Sequence, residues 1–194
     1  MVNLNAEYWE KRYQENNTGW DIGSVSTPLK TYFDGLENKD LRILIPGCGN
    51  AYEAAYLFEN GFKKVFLLDW ANEPLKLFKR NFPSFPDEQL LFEDFFNHNA
   101  KYDLIIEQTF FCALNPVLRT SYVQKISDLL IKGGKLVGLL FNIPLNEDKP
   151  PFGGNIVEYK ELFSPFFKIE TMELCYNSIE PRMGNELFIK MLKC

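Results

Sequence analysis

The chain is poor in metal-binding and disulfide-forming residues: among 194 residues His98 is the single histidine, and four cysteines, Cys48, Cys112, Cys175 and Cys194, lie far apart. Without a CxxC pair or a Cys/His cluster, the pattern argues against a structural zinc site or a disulfide framework, and no metal is expected. Basic charge is scarce as well, with 21 Lys and Arg against 26 Asp and Glu and a formal net charge of −5. Such a balance gives no general attraction for phosphate backbones or anionic bilayers, so neither nucleic acid nor a membrane is an expected partner. No apolar run approaches the roughly 20 residues of a membrane helix. The first residues are polar and acidic (Asn3, Asn5, Glu7, Glu10) where a secretory leader needs a basic start and an apolar stretch, which makes a cytoplasmic address the expectation. Repeats, low-complexity tracts and charge blocks are also missing, and the Pro/Gly-rich stretch 144–154 is only of loop length. One domain over residues 1–194 is expected, with the monomer as the simplest state.

What the chain does have is apolar material, 46% hydrophobic residues and 15% aromatic, including 18 Phe. That is the composition of a packed core, and the length suffices to bury a sheet under helices on both faces. Residues 5–15 read as a helix ended by Asn16-Asn17-Thr18-Gly19, and a second helix starts with Thr27 as cap and Pro28 at its first position. Strand and helix then alternate: strand 41–45, helix 51–59, strand 64–69, helix 72–81 with Leu75 and Phe78 inward, and strands at 88–92 and 102–107. A helix over 116–132 ended by Gly133-Gly134, strand 135–141 and a helix over 157–163 follow. Two late runs, 167–174 and 185–193, have no helix-length crossover between them and are expected to pair as an antiparallel edge pair. The sum is an α/β, Rossmann-like, mostly parallel seven-stranded sheet, whose ligands bind beyond the carboxyl ends of the strands.

The chemistry concentrates at those ends. Ile45-Pro46-Gly47-Cys48-Gly49-Asn50 leads from the first strand into a helix, and Gly47 and Gly49 allow a sharp turn and a close approach by a ligand. Twenty residues on, Asp69 closes the second strand, where a carboxylate can accept hydrogen bonds from the two ribose hydroxyls of an adenosine group. A dinucleotide fingerprint needs a third glycine three residues after the second; Tyr52 stands there, which weakens the dinucleotide reading. S-adenosylmethionine has no phosphates and tolerates the shorter loop. Asp94, after the third strand, is placed to bond an adenine amino group with Phe95 packing on the ring, the alternative being a loop acid beside core phenylalanines. Glu107 and Gln108 end the next strand at the mouth of the crevice, and Phe110 follows them. Trp9 and Trp20 stand in an otherwise polar segment and either cap the core or cover a cationic ligand.

Tyr8-Trp9-Glu10-Lys11-Arg12-Tyr13, Gly19-Trp20-Asp21, Thr27-Pro28-Leu29, Pro46-Gly47-Cys48-Gly49, Asp94-Phe95-Phe96 and 110–116 (FFCALNP) together resemble the thiopurine S-methyltransferase family, and its plant-type halide and thiol methyltransferases most. The resemblance runs from about Trp9 to about Phe167. It implies S-adenosylmethionine as cofactor, contacts to it from Trp9, Tyr13, Trp20, Gly47, Gly49, Asp69, Asp94, Phe95 and Gln108, and an N-terminal helical lid over residues 1–36. Arg119 matches an arginine near the acceptor in that family, and is equally read as a helix-surface cation. Two positions depart from the pattern: Tyr13 replaces a tryptophan, and Glu107-Gln108 replaces an Asp followed by an aromatic.

The expected reaction is in-line attack of a small soft nucleophile, a thiol or halide, on the cofactor methyl, which needs alignment and dryness more than a strong base. His98, within Asn97-His98-Asn99-Ala100, is expected at the surface. Lys149-Pro150-Pro151-Phe152 resembles the Asx-Pro-Pro-aromatic element of amino-group methylation, but it begins with Lys and follows the fifth strand, so Phe152 is assigned to a substrate-side loop. An NAD-dependent oxidoreductase and a non-catalytic cofactor-binding module remain the competing readings.

Overall fold

In the computed structural model, which describes residues 3–194, the chain divides into two units, Asn3–His98 and Asn99–Cys194. Met1 and Val2, the first residues of the expected lid, lie outside the described residues.

The first unit opens with helix α1 (Ala6–Gln14), capped by the Asn5 side chain, which accepts from the Tyr8 N–H at 3.0 Å. Helix α2 (Thr27–Asp34) follows. Its cap position is Ser26 and not Thr27, and the Ser26 hydroxyl is buried and makes no cap bond; the Ser26 N–H instead donates to Glu53 Oε1 at 3.1 Å. Three strands, β1 (Ile43–Pro46), β2 (Val65–Asp69) and β3 (Leu90–Phe92), pair in parallel in the order β3-β2-β1. Helices α3 (Tyr52–Glu59) and α4 (Asn72–Asn81) follow β1 and β2. β1 and β2 are apolar at almost every position, as strands covered on both faces must be, and Ile43, Leu44, Val65 and Leu67 are fully buried. α4 has the expected bounds, turns Leu75 and Phe78 inward, and sets Phe78 edge-on to Phe85 at 5.0 Å. The expected strand 88–92 is shorter than the pattern suggests, because Asp87–Gln89 forms a 3-10 turn first.

The second unit carries β4 (Tyr102–Gln108), helix α5 (Arg119–Leu129), β5 (Leu130–Phe141), helix α6 (Ile156–Phe163), β6 (Phe167–Leu174) and β7 (Glu186–Lys193). Strand order is β4-β5-β7-β6, with β4 and β5 parallel and β7 antiparallel to both of its neighbours. The two late runs pair as expected, but β7 lies inside, between β5 and β6. The expected helix 116–132 is three structures: a 3-10 turn at Pro116–Leu118, then α5, then the start of β5. Gly133-Gly134 is therefore no helix cap. Leu130 pairs with Tyr102 while Lys135 pairs with Leu104, and the surplus residues bulge at Gly133, whose φ of +76° suits glycine. The buried centre of this unit is aromatic, with Phe111 edge-on to Tyr122 at 5.1 Å and to Tyr159 at 5.6 Å.

Gly138 of β5 lies opposite Glu107 of β4, and a Cβ there would stand 2.2 Å from the Glu107 carbonyl oxygen. Backbone cannot yield as a flexible side chain can. Gly138→Ala is expected to destabilise by at least the ~1–3 kcal/mol of an overpacked core, read as a lowered denaturation midpoint in urea.

Candidate functional site

In the first unit the residues singled out by the glycine motif come together. Gly47 and Gly49 hold φ of +56° and +52°, and Ala51 adds +56° just before α3. Three left-handed residues within five positions fold the turn back on β2, where Cys48 N–H donates to the Leu68 carbonyl at 3.2 Å. Gly49 N–H then donates to Asp69 Oδ2 at 3.1 Å, and Ala71 N–H to Asp69 Oδ1 at 2.9 Å. Each carboxylate oxygen thus has one bond from the backbone and lone-pair capacity for another donor. Burial pushes the Asp69 carboxyl up to about 6 against the pull of those N–H groups.

The N-terminal segment covers this turn. Tyr13 Oη would lie 2.8 Å from a Cβ at Gly49, so only glycine leaves room for the phenol. Trp20 meets Tyr13 edge-on at 5.7 Å and Trp9 at 5.4 Å, and all three rings are half-buried. Burial, with the nearby Asp69 and Cys48, raises the Tyr13 phenol far above its ordinary range, and burial with Asp69 likewise raises the Cys48 thiol. Both stay protonated and neither serves as a base. The polar turn 16–19 is better fastened than its composition suggests: Arg12 Nε donates to the Asn17 carbonyl at 2.9 Å, and the Arg12 guanidinium lies 4.9 Å over the Trp20 ring. One face of Trp20 therefore already holds a cation.

Asp94 sits beyond β3, where Glu93 N–H donates to the Asp69 carbonyl at 3.2 Å. Asp94 Oδ1 accepts from Phe96 N–H at 2.9 Å, and Phe95 is buried beside it. His98 is not at the surface. It is buried, with Nδ1 2.7 Å from Glu93 Oε1, because the turn after Asp94 folds the ring back onto its own start.

In the second unit Glu107 is the last but one residue of β4, and its side chain is wholly buried. Its Oε1 accepts from the Phe110 and Phe111 N–H groups at 2.8 and 2.9 Å, and its Oε2 from the Tyr122 hydroxyl at 2.5 Å. The carboxylate fastens the turn, which includes Thr109 at the strained φ of +58°. Gln108 is different: its Oε1 is buried with no partner, a cost relieved once a donor reaches it. Phe110 is half-buried and edge-on to Tyr122 at 6.0 Å. Arg119 is buried; its guanidinium pairs with Glu158, donates from Nη2 to the Gly153 carbonyl at 2.6 Å and lies 4.9 Å over Phe111. Nε, also buried, has no partner. Phe152, expected on a substrate-side loop, is 2% exposed and donates its N–H to the Cys112 carbonyl at 2.7 Å.

The first unit thus brings together a glycine turn and an acid one strand away, with backbone N–H groups and aromatics around them. The fold has solved counterparts: the 1,6-didemethyltoxoflavin-N1-methyltransferase of Burkholderia thailandensis, whose structure holds S-adenosylhomocysteine, superimposes with a TM-score of 0.80 at 15% identity over 98% of this chain and 87% of that one. The class is that of S-adenosylmethionine-dependent methyltransferases with a Rossmann-like, mostly parallel seven-stranded fold. Within it, residues 4–190 match the model of the family described as thiopurine S-methyltransferase, and the chain belongs to that family. Its relatives include a "probable thiol methyltransferase 2" of Arabidopsis thaliana, 30% identical over 92% of this chain and 81% of that protein. A thiocyanate methyltransferase 1 of Brassica oleracea is 29% identical over the same shares.

Glu107 gives a pH prediction. Burial lifts its carboxyl to about 7 from an ordinary 4.5, so its stabilising share is fully present below pH ~4.5 and lost as pH rises through 7. The loss is at most roughly 3 kcal/mol. In Glu107→Gln the amide oxygen can still accept both N–H bonds and the amide NH2 can donate to the Tyr122 oxygen. Urea midpoints at pH 5 and pH 8 should therefore lie closer together in the variant than in the wild type.

Proposed function

We propose that this protein transfers the methyl group of S-adenosylmethionine to a small soft nucleophile, a thiol above all and a halide or pseudohalide second. The family membership carries this reading, with the thiol methyltransferase similarity as its sharpest form. The residues fit the cofactor. Asp69 has acceptor capacity on both oxygens for two ribose hydroxyls, the Gly47–Gly49 turn lies beside it for the amino-acid end, and Asp94 with Phe95 stands one strand further on for the adenine. Trp9, Tyr13 and Trp20 form the cover, within the lid segment 1–36 of one domain spanning 1–194.

When bound, the cofactor supplies a methyl group on a cationic sulfur. The chain itself binds, aligns and excludes water. Among the described residues around the site none is placed as a strong general base: Tyr13 and Cys48 are held protonated, His98 is buried against Glu93, and the Glu107 oxygens are bonded to the following turn and to Tyr122 of α5. An acceptor must therefore arrive ionised or ionise readily, which suits a thiol of low pKa or a simple anion. In the second unit Gln108, Phe110, Arg119 and Phe152 are the residues assigned to the acceptor, with the unpartnered Arg119 Nε as the donor for an anion.

The acceptor is thus a small molecule, with no nucleic-acid or membrane partner; among the described residues no helix is long and apolar enough to cross a bilayer. Four free cysteines agree with a cytoplasmic address. Labelled S-adenosylmethionine offered with thiols, thiopurines, halides and thiocyanate should yield methylated thiols fastest, and absence of transfer to any of them overturns the reading. Asp69→Ala should weaken S-adenosylhomocysteine binding in calorimetry at least tenfold, since a charged acceptor is worth about 1.5–3 kcal/mol per hydrogen bond. In the wild type, affinity should fall as pH drops through about 6, where the Asp69 carboxylate takes up its proton.

A further inference from the structure

Helices α3 and α4 begin where a nucleoside would lie, and neither is capped from its own sequence. Their cap positions are Ala51 and Ala71, which have no side-chain acceptor. The first N–H groups of α4 are satisfied from 62 residues away: Glu10 Oε2, on α1, accepts from Asn72 N–H at 2.6 Å and from Glu73 N–H at 3.2 Å. A second acid of the N-terminal segment reaches the start of α3, through side chains and not through the helix N–H groups. Asp21 Oδ2 accepts from the Asn50 amide and, at 3.2 Å, from the Tyr52 hydroxyl.

Glu10 lies between Trp9 and Tyr13 in sequence, so the bond that caps α4 also fixes the register of the aromatic cover. Its target is the segment that carries Asp69, since Asp69 Oδ1 bonds Ala71 N–H and Glu10 bonds the next two N–H groups. A carboxylate at a helix N-terminus is favoured by the macrodipole as well as by its hydrogen bonds. Neutral alanine caps leave this work to the N-terminal segment, so moving the cover away would leave two orphan N–H groups at the edge of the crevice.

We propose that Glu10 is a positioning residue for cofactor binding: by capping α4 from α1 it holds Trp9 and Tyr13 over the Gly47–Gly49 turn and fixes the Asp69–Glu73 segment. This rests on the methyltransferase reading above. Its carboxylate needs no contact with the cofactor to act, because it sets the geometry of both the floor and the cover.

Two readouts test it on the full-length protein. Amide exchange over residues 6–20 without ligand reads the latch alone, and calorimetric titration with S-adenosylhomocysteine reads the crevice. Glu10→Ala should speed exchange in α1 and weaken binding about tenfold or more, at a temperature where circular dichroism shows the variant folded. Glu10→Gln, which keeps an acceptor oxygen for both N–H groups, should recover most of the affinity and keeps the test alive if the alanine variant does not fold. Lys11→Ala, whose residue makes only an exposed pairing with Glu15 at 3.6 Å, should bind as the wild type does. Unchanged exchange in Glu10→Ala overturns the latch. Faster exchange with unchanged affinity overturns its role in the crevice. Loss of affinity in Glu10→Gln equal to that in Glu10→Ala, with both folded, rules against the hydrogen-bonded cap as its means. A wild-type protein that binds no S-adenosylhomocysteine removes the methyltransferase reading and the inference with it, and is seen before any substitution is made.

Discussion

The first unit depends on one buried carboxylate. Asp69 joins the turn after β1 through Gly49 N–H, the turn after β2 through Ala71 N–H, and the exit of β3 through its own carbonyl, which accepts from Glu93 N–H. Three loops that would otherwise end in unpaired backbone groups are set by one residue, two through its carboxylate and one through its carbonyl, as buried polar groups require. The cost is visible in its raised proton affinity: desolvation outweighs the N–H groups that favour the charged form. A ligand that brings hydroxyl donors to the remaining lone pairs stabilises that charged form, so the carboxylate that organises these loops is also the one best served by such donors.

The second unit repeats the device in a closed form. Glu107, one residue before the end of β4, gathers the N–H groups of the following turn, but Tyr122 occupies its other oxygen and its side chain is wholly buried. One carboxylate is left open to donors, and the other is completed from within. The difference also separates two meanings of a raised pKa. Proton affinity near neutrality is a common mark of a general base, yet a wholly buried group whose oxygens are bonded to the following turn and to a helix tyrosine has no geometry for receiving a proton from an acceptor. Gln108, the next residue, is the one with an unsatisfied buried atom.

Much of this was legible in sequence because it is local. The Gly47–Gly49 turn, the acid at the end of β2 and helix 72–81 follow from short spacings and periodicity, and the structure places Asp69 against Gly49 as that spacing implies. What escaped is set by distant partners. Nothing near Ala71 announces that Glu10 supplies its helix cap, and the only trace is negative, an alanine where a Ser, Thr, Asp or Asn is usual. Gly133-Gly134 reads as a helix C-terminus because glycines commonly lie there, yet pairing of Leu130 with Tyr102 begins the strand earlier and turns the pair into a bulge. His98 reads as a surface residue from its polar neighbours, whereas the turn after Asp94 buries it against Glu93.

Charge bears on which soft nucleophile the site favours. A chain with a net charge of −5 repels anions over the distances at which encounter is decided, and the N-terminal segment adds Glu10 and Asp21 close to the Gly47–Gly49 turn. A halide or thiocyanate carries its charge at every stage of approach. A thiol carries its charge only in the fraction that is ionised at the ambient pH, and its neutral fraction feels no such repulsion. The one buried cation described on the proposed acceptor side, Arg119, is already paired with Glu158, so little of its charge is left to reverse that repulsion. Permanently anionic acceptors therefore meet this protein at a disadvantage in association rate that a partly neutral thiol shares only for its ionised fraction, and the disadvantage shrinks as salt screens the field. The same field suits the cofactor, whose sulfur is cationic: one acidic surface draws in the methyl donor and sorts the acceptors by the charge they carry on the way in.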